Sequence, residues 1–147
     1  MVAKYDTSDL RFVYPDNWTL DDEPGTALPR SVSVNSPGGA FWSITMYQPS
    51  AEPVGLVNEA LTTMRREYPG LESQAIAEQI AGTATTGHDL EFYCLDLLVA
   101  ATLRAFSIGP AVCLIQCQAE DRAFEQLGPV FQAITESLLN REVFQRA

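Results

Sequence analysis

The residues that could carry out acid–base chemistry are one histidine and two short runs of carboxylates. His88 is the only histidine in the 147-residue sequence, so a serine or cysteine nucleophile would have no other imidazole base. Carboxylates near the ends of strands are usually solvated, and we therefore predict no catalytic residue. The alternative is a small-ligand-binding or metal-assisted enzyme that uses His88 with the clustered carboxylates. These carboxylates are Asp21, Asp22 and Glu23 in one run and Asp89 and Glu91 in the other.

Sequence motifs for covalent catalysis, metal binding and phosphate binding are missing. There is no second histidine to share a zinc ion, no C-x-x-C pair and no glycine-rich phosphate loop. Of the three cysteines, Cys94, Cys113 and Cys117, the last two would lie about 13 Å apart on one face of a predicted strand, too far for a disulfide. We expect free, buried and inert thiols, no bound metal and no cofactor.

The charge of the sequence argues against nucleic acid as a partner. Nineteen acidic and nine basic side chains give a net charge of −10, which repels phosphate backbones and anionic lipids. The longest apolar run, Leu97 to Leu103, is far shorter than the roughly 20 residues that span a bilayer. The first ten residues lack the apolar run of a secretory signal. We expect a cytoplasmic protein without membrane insertion.

Alternating apolar and polar residues predict most of the strands. One apolar face begins with Leu10, Phe12 and Tyr14, turns at Pro15 and resumes with Trp18 and Leu20. A hairpin around residues 36–39 places Val32 and Val34 beside Trp42, Ile44 and Met46. Further strands are predicted over 90–97, 102–108 and 112–118. Gly109 and Pro110 form one turn, and the other turn falls between Leu97 and Thr102, although that stretch contains no turn residue.

Two amphipathic helices are predicted from apolar residues at three- and four-residue spacing. The first begins at Pro53 and ends before Pro69 and Gly70. The second begins with Asp121 as its N-cap, and Gly128 with Pro129 should kink or divide it. Between them, residues 71–81 favour a helix by propensity.

The side of the sheet that faces away from Trp42, Ile44 and Met46 is the candidate partner-binding surface. Aromatic and hydroxyl side chains alternate there, and an exposed apolar area would mark an interaction surface. The alternative is that a helix or a long loop covers this face and makes it a second core layer. The candidate residues are Phe41, Ser43, Thr45 and Tyr47, which Tyr93, Phe106 and Leu114 could join from other strands.

The order of these elements resembles the PsbP-like family, which includes photosystem PsbP subunits and Mog-type Ran-binding proteins. The resemblance rests on "FVYPDNW", a Ser/Val hairpin, a helix closed by "YPG", the strand "GHDLEFY", strands around "GP" and the terminal "FEQLGPVFQAITESL". It implies one α+β domain over residues 1–147: a single antiparallel sheet of about six strands flanked by two main helices. It also implies that residues 71–81 form a strand.

Members of this family look like non-enzymatic binding modules, among them photosystem subunits, GTPase-binding factors, lipoproteins and bacterial cytoplasmic adaptors for hydrophobic segments of type VI secretion effectors. No Ran-binding or manganese-site residue of the family can be placed on this sequence. The resemblance therefore implies a protein-binding module, an adaptor or chaperone, that uses the open face of the sheet. Its partner would be another protein or a hydrophobic segment of one, and a second copy of the chain could complete the cradle as a homodimer.

Overall fold

The computed structural model describes residues 1–23, 25 and 27–140. Its described part contains nine strands and two helices. In chain order these are β1 Val2–Asp6, β2 Arg11–Pro15, β3 Thr19–Asp22, β4 Arg30–Asn35, β5 Phe41–Tyr47, α1 Pro53–Glu67, β6 Glu72–Ile80, β7 Thr83–Cys94, β8 Leu97–Ile108, β9 Ala111–Glu120 and α2 Asp121–Leu139.

The strands form two antiparallel sheets. Seven strands make the main sheet in the order β3-β4-β5-β9-β8-β7-β6, and β1 pairs with β2 as a separate hairpin. The predicted antiparallel α+β class is confirmed, but the prediction of a single six-stranded sheet is wrong. The strand β1 was not predicted, because only Tyr5 of its five residues is buried and its sequence therefore shows little alternation of apolar and polar residues. The strand β6 has helical propensity, so only the family resemblance predicted it.

The helices pack on opposite faces of the main sheet. On one side, called here the α2 face, α2 and the β1–β2 hairpin cover Trp42, Ile44 and Ile115. On the other side, called the α1 face, α1 packs on Leu90 and Leu103. The sheet is therefore buried from both sides over part of its area, and each helix has its own hydrophobic core. No helix among the described residues is long and apolar enough to cross a membrane.

The segment predicted to be helical by propensity is the edge strand β6. It pairs with β7 along its whole length, from Glu72 opposite Glu91 to Ile80 opposite Thr83. A continuous ladder of backbone hydrogen bonds with β7 outweighs the small preference of alanine, glutamine and glutamate for helix. The resemblance to the PsbP-like family predicted this strand correctly.

The turn between β7 and β8 does not lie between Leu97 and Thr102, as predicted, but at Leu95 and Asp96. Cys94 pairs directly with Leu97 across the two-residue turn. Both turn residues have a positive φ, 52° and 67°, which glycine and asparagine normally supply. The apolar stretch after Leu97 lies within β8 and includes the buried Ala101.

The helix α2 is capped by Glu120, not by the predicted Asp121. The Glu120 side chain accepts a hydrogen bond from the Ala123 backbone N–H at 3.4 Å. Gly128 and Pro129 do not divide the helix, which continues to Leu139. Pro129 removes one backbone hydrogen-bond donor from the helix. The helix continues beyond it because the buried Phe131 and Ile134 pack on the sheet.

Candidate functional site

The side chains of β5 that point away from the Trp42 side of the sheet lie on the α1 face. The helix α1 covers only part of that face. The helix packs on β7, β8 and β9. Over β3, β4 and β5, apart from Tyr47 at the end of β5, no helix of the described part of the chain packs on this side. The partly exposed side chains of β4 and β5 in this area, together with two glutamines of the adjacent β9, are called here the polar half-face. They are Ser31, Ser33, Asn35, Phe41, Ser43, Thr45, Gln116 and Gln118.

Strand register brings these residues into rows across three strands. Ser33 lies opposite Ser43, and Ser43 lies opposite Gln116. The next row along the strands joins Asn35, Phe41 and Gln118 in the same way. Since directly opposed residues point to the same face of a sheet, the rows form one surface of hydroxyl and amide groups with a single aromatic ring. Thr19 and the carboxylate of Asp21, which lie opposite Asn35 and Ser33, border this surface on β3.

Hydrogen bonds hold part of the polar half-face in place. The hydroxyls of Ser31 and Thr45 lie 2.9 Å apart, and Gln116 Nε2 donates to Gln118 Oε1 at 3.1 Å. Each hydroxyl and amide has further hydrogen-bonding capacity beyond these contacts. The surface can therefore accept and donate hydrogen bonds to a partner without first rearranging.

Only part of the predicted surface belongs to the polar half-face. Phe41, Ser43 and Thr45 lie on it, as predicted. Tyr47 stands at its border and packs against the core beneath α1, and burial together with the nearby Glu59 raises the pKa of its hydroxyl. Leu114 is buried beneath α1. The alternative that a helix covers this face therefore holds for the half that contains Leu114.

Tyr93 and Phe106 do not join the candidate surface, and that prediction is wrong for both. Phe106 lies opposite Cys113 and belongs to the core of the α2 face. Tyr93 follows Phe92, which is buried on the α1 face, so its side chain points to the opposite side, where it is 70% exposed. Strand register decides which face of the sheet a residue occupies. A shift of the register by one residue moves the side chains of the strand to the other face.

The carboxylates and the histidine of the alternative hypothesis do not converge. Asp21 and Asp22 are on β3, and Asp89 is on β7, five strands away in the sheet, or about 24 Å at the usual strand spacing. His88 lies on the α1 face between Ala75 and Leu103, whereas Asp89 points to the other face. Within the described residues no three His, Cys, Asp or Glu side chains could hold a metal ion.

Asp22 is instead part of a polar cluster around the buried Arg30. Arg30 Nη2 lies 3.0 Å from Asp22 Oδ1, and Arg30 Nη1 lies 3.5 Å from Asp9. The Tyr5 hydroxyl donates to Asp22 Oδ2 at 2.6 Å; burial and this hydrogen bond raise its pKa. The cluster connects the β1–β2 hairpin to the edge of the main sheet, which is a structural role.

Asp89 is paired with Arg104, a residue that the sequence interpretation did not single out. Arg104 Nη2 lies 2.7 Å from Asp89 Oδ1 and Arg104 Nε lies 2.8 Å from Glu78 Oε1. The guanidinium borders a groove of about 480 Å³ between α2 and the strands β6 to β9. A signal was present, because Arg104 is the only charged residue of the twelve-residue strand β8.

The three cysteines are free thiols, as predicted. Cys113 and Cys117 are buried, and burial raises the pKa of each thiol to about 12. Cys94, near the end of β7, is only half-buried, so the prediction that all three thiols are buried is wrong for Cys94. The buried pair therefore stays protonated at neutral pH and is a poor nucleophile and a poor metal ligand.

Comparisons with known proteins identify the fold. No protein-family description matches the sequence, and no curated protein matches it. Among solved structures, the cyanobacterial PsbP protein CyanoP from Synechocystis sp. PCC 6803 is similar with a TM-score of 0.68 and 13% identity, over 92% of this chain and 90% of that chain. Protein PA94 from Pseudomonas aeruginosa, whose function is unknown, is similar with a TM-score of 0.55 and 16% identity, over 93% of this chain and 95% of that chain. The chain has a PsbP-like fold.

Proposed function

We propose that the chain is a non-enzymatic protein-binding module, an adaptor or chaperone, that binds its partner on the polar half-face. The observation that carries this proposal is that α1 leaves half of its own sheet face without a packed helix. A PsbP-like fold is compatible with such a role. We place the module in the cytoplasm, as the sequence predicted.

The chemistry of the polar half-face indicates the partner. Its hydroxyl and amide groups suit a polypeptide backbone, which offers donors and acceptors at regular spacing. Phe41 supplies an aromatic contact, and aromatic residues are frequent anchors of protein interfaces. The proposed partner is therefore a protein segment that lies across β4 and β5 and places apolar side chains against Phe41.

A pair of arginine substitutions tests this proposal. Ser43→Arg places a long charged side chain in the middle of the polar half-face, and Thr62→Arg places the same side chain on the exposed surface of α1. The immobilised parent and variants are incubated with an extract of the cells that produce the protein, and bound proteins are quantified by mass spectrometry. We expect Ser43→Arg to lose partners that Thr62→Arg retains.

Phe41→Ser provides an independent variant on the same surface. We expect it to weaken the capture of the same partners with little change in melting temperature, because Phe41 is partly exposed. Equal capture by the parent, Ser43→Arg and Phe41→Ser would contradict the proposal. If these variants change sedimentation instead of capture, the occupant of the polar half-face is a second copy of this chain.

A second candidate function is small-ligand binding in the groove beside Arg104. The observation that favours it is the 480 Å³ volume next to a guanidinium held by two carboxylates. This candidate differs from the hypothesis based on His88, which lies outside the groove. A thermal-shift screen with divalent cations and metabolites tests it, since a ligand at 100 times its dissociation constant adds about 2.7 kcal/mol. An Arg104-dependent shift would support this second function.

A further inference from the structure

The turn that joins β7 and β8 carries a leucine where the backbone disfavours one. Leu95 has φ of 52° and Asp96 has φ of 67°. A two-residue hairpin turn with both φ values positive is normally formed by asparagine and glycine, because a Cβ atom crowds the backbone in that region. The folded chain therefore gains nothing from leucine at this position through its backbone conformation.

The side chain of Leu95 gains nothing from burial either. Leu95 is 93% exposed, and its neighbours Tyr93 and Leu97 are 70% and 56% exposed. These three residues, called here the hairpin tip, lie within five positions of one another and account for three of the eight exposed large hydrophobic residues that the structure describes. Tyr93 faces the α2 side of the hairpin, and Leu97, which pairs with Cys94, faces the α1 side, so the turn presents apolar side chains on both of its sides and at its end. Exposed apolar side chains that neither pack nor favour their own turn are typical of a contact with another molecule.

The charges around the hairpin tip indicate what that molecule is. At this end of the sheet every charged residue on the strands and the turn is acidic: Glu72, Glu91, Asp96 and Glu120. The helix ends that flank this part of the sheet add Glu67 and Asp121 together with Arg65, Arg66 and Arg122, which leaves an acidic excess. Anionic lipid headgroups and a second copy of a chain with net charge −10 would both be repelled.

We propose that the hairpin tip inserts into an apolar surface rimmed by lysine or arginine on a partner protein. Leu95 is the apolar anchor, Tyr93 and Leu97 widen the contact from opposite sides of the inserted hairpin, and Asp96 with Glu91 pairs with the cationic rim. This interaction is separate from the polar half-face and can be tested separately from the proposed function.

A matched pair of synthetic peptides provides the probe. One is an amphipathic helix whose leucine stripe is bordered by lysines, and the other has the same stripe bordered by glutamates. Binding of each labelled peptide to the full chain is measured by fluorescence anisotropy at low and high salt. We expect the parent to prefer the Leu/Lys peptide and to lose part of that preference in high salt.

The variant Leu95→Asn separates binding from folding. Asparagine tolerates a positive φ, so the variant should melt at or above the temperature of the parent. Loss of the leucine side chain that the peptide would bury should weaken binding of the Leu/Lys peptide by roughly ten- to a hundredfold. Val54→Asn is the matched control, since Val54 is an exposed apolar residue on α1 away from the tip. Asp96→Asn should reduce the salt dependence of binding.

Several results would overturn this proposal. One is equal binding of the Leu/Lys peptide by the parent and Leu95→Asn, and another is equal binding of both peptides by the parent. Neutral phosphatidylcholine vesicles that bind the parent but not Leu95→Asn would make the tip a membrane contact instead. Sedimentation that shows self-association lost in Leu95→Asn would make it a contact between copies.

Discussion

The indole nitrogen of Trp42 donates a hydrogen bond to Thr135 Oγ1 at 2.9 Å and so connects the centre of the main sheet to α2. Trp42 is completely buried. The Thr135 hydroxyl in turn donates to the Phe131 carbonyl at 3.1 Å. Burying the indole N–H without an acceptor would be costly, and the helix supplies that acceptor.

Replacing Thr135 by valine tests how much this hydrogen bond contributes to the stability of the protein. Valine keeps the shape of the side chain but leaves the buried Trp42 N–H without a partner, which should cost about 1–3 kcal/mol in the free energy of unfolding. Urea denaturation measures the loss. Thr135→Ser keeps the hydroxyl and should lose less. Equal stability of Thr135→Val and the parent would show that the indole finds another acceptor.

Trp18 fixes the beginning of β3 over α2. It is 8% exposed and meets the ring of Phe131 edge-on at a centroid distance of 6.0 Å. Trp18→Ala should cost about 3–5 kcal/mol, as for other large buried aromatic residues. Leu20→Ala is the control, because Leu20 is 36% exposed and surface substitutions usually change stability by about 0.5 kcal/mol or less. A Trp18→Ala variant as stable as Leu20→Ala would show that the packing of Trp18 on Phe131 does not stabilise the fold.

The elements that the sequence predicted correctly are those in which a local pattern and a local stop signal agree. The helix α1 begins at Pro53 and ends at Glu67, just before Pro69 and Gly70, and Val57, Leu61 and Met64 are buried between these signals. The β4–β5 hairpin combines strict alternation with a glycine turn in the same way. Here propensity, periodicity and turn chemistry indicate one structure.

The features that the sequence could not predict depend on contacts between strands. β6 is a strand because β7 pairs with it, and Leu95 occupies a turn that its residue type disfavours. Phe106 and Leu114 face opposite cores because β8 pairs with β9 in one register. The candidate site was therefore predicted only on β5, where alternation with the buried Trp42 assigns the face without any knowledge of register.

The ionisation of the buried cysteines predicts a pH-dependent stability. Burial raises the pKa of Cys117 to about 12 from an ordinary value of 9.0. Because the folded state holds the proton more tightly than the unfolded state, this contribution to stability is fully present below pH 9 and is lost as the pH rises towards 12. Urea midpoints measured between pH 8 and pH 11 should therefore fall further for the parent than for Cys117→Ala. Parallel pH profiles of the two proteins would show that the ionisation of Cys117 does not contribute to the pH dependence of stability.

Thiol labelling tests the same burial kinetically. At pH 8 the half-buried Cys94 should react with a maleimide first, while Cys113 and Cys117 react only through unfolding. A Cys94→Ala variant should then be labelled at a rate that rises with urea concentration. Rapid labelling of this variant in native buffer would show that the two buried thiols are accessible.

Two identical glycine substitutions should have opposite effects on stability. Gly87 faces β8 so closely that an added Cβ would lie 1.7 Å from the Leu103 carbonyl oxygen, and backbone atoms cannot move aside as a flexible side chain can. Gly87→Ala should therefore shift the strands apart and destabilise the protein. Gly55 lies in the first turn of α1, where an added Cβ would meet nothing within 4 Å, and alanine in place of glycine stabilises a helix by up to about 1 kcal/mol. Thermal unfolding of the two variants measures the difference. If both melted above the parent, the close approach of β7 and β8 at Gly87, and with it the position of Arg104 opposite that glycine, would be refuted.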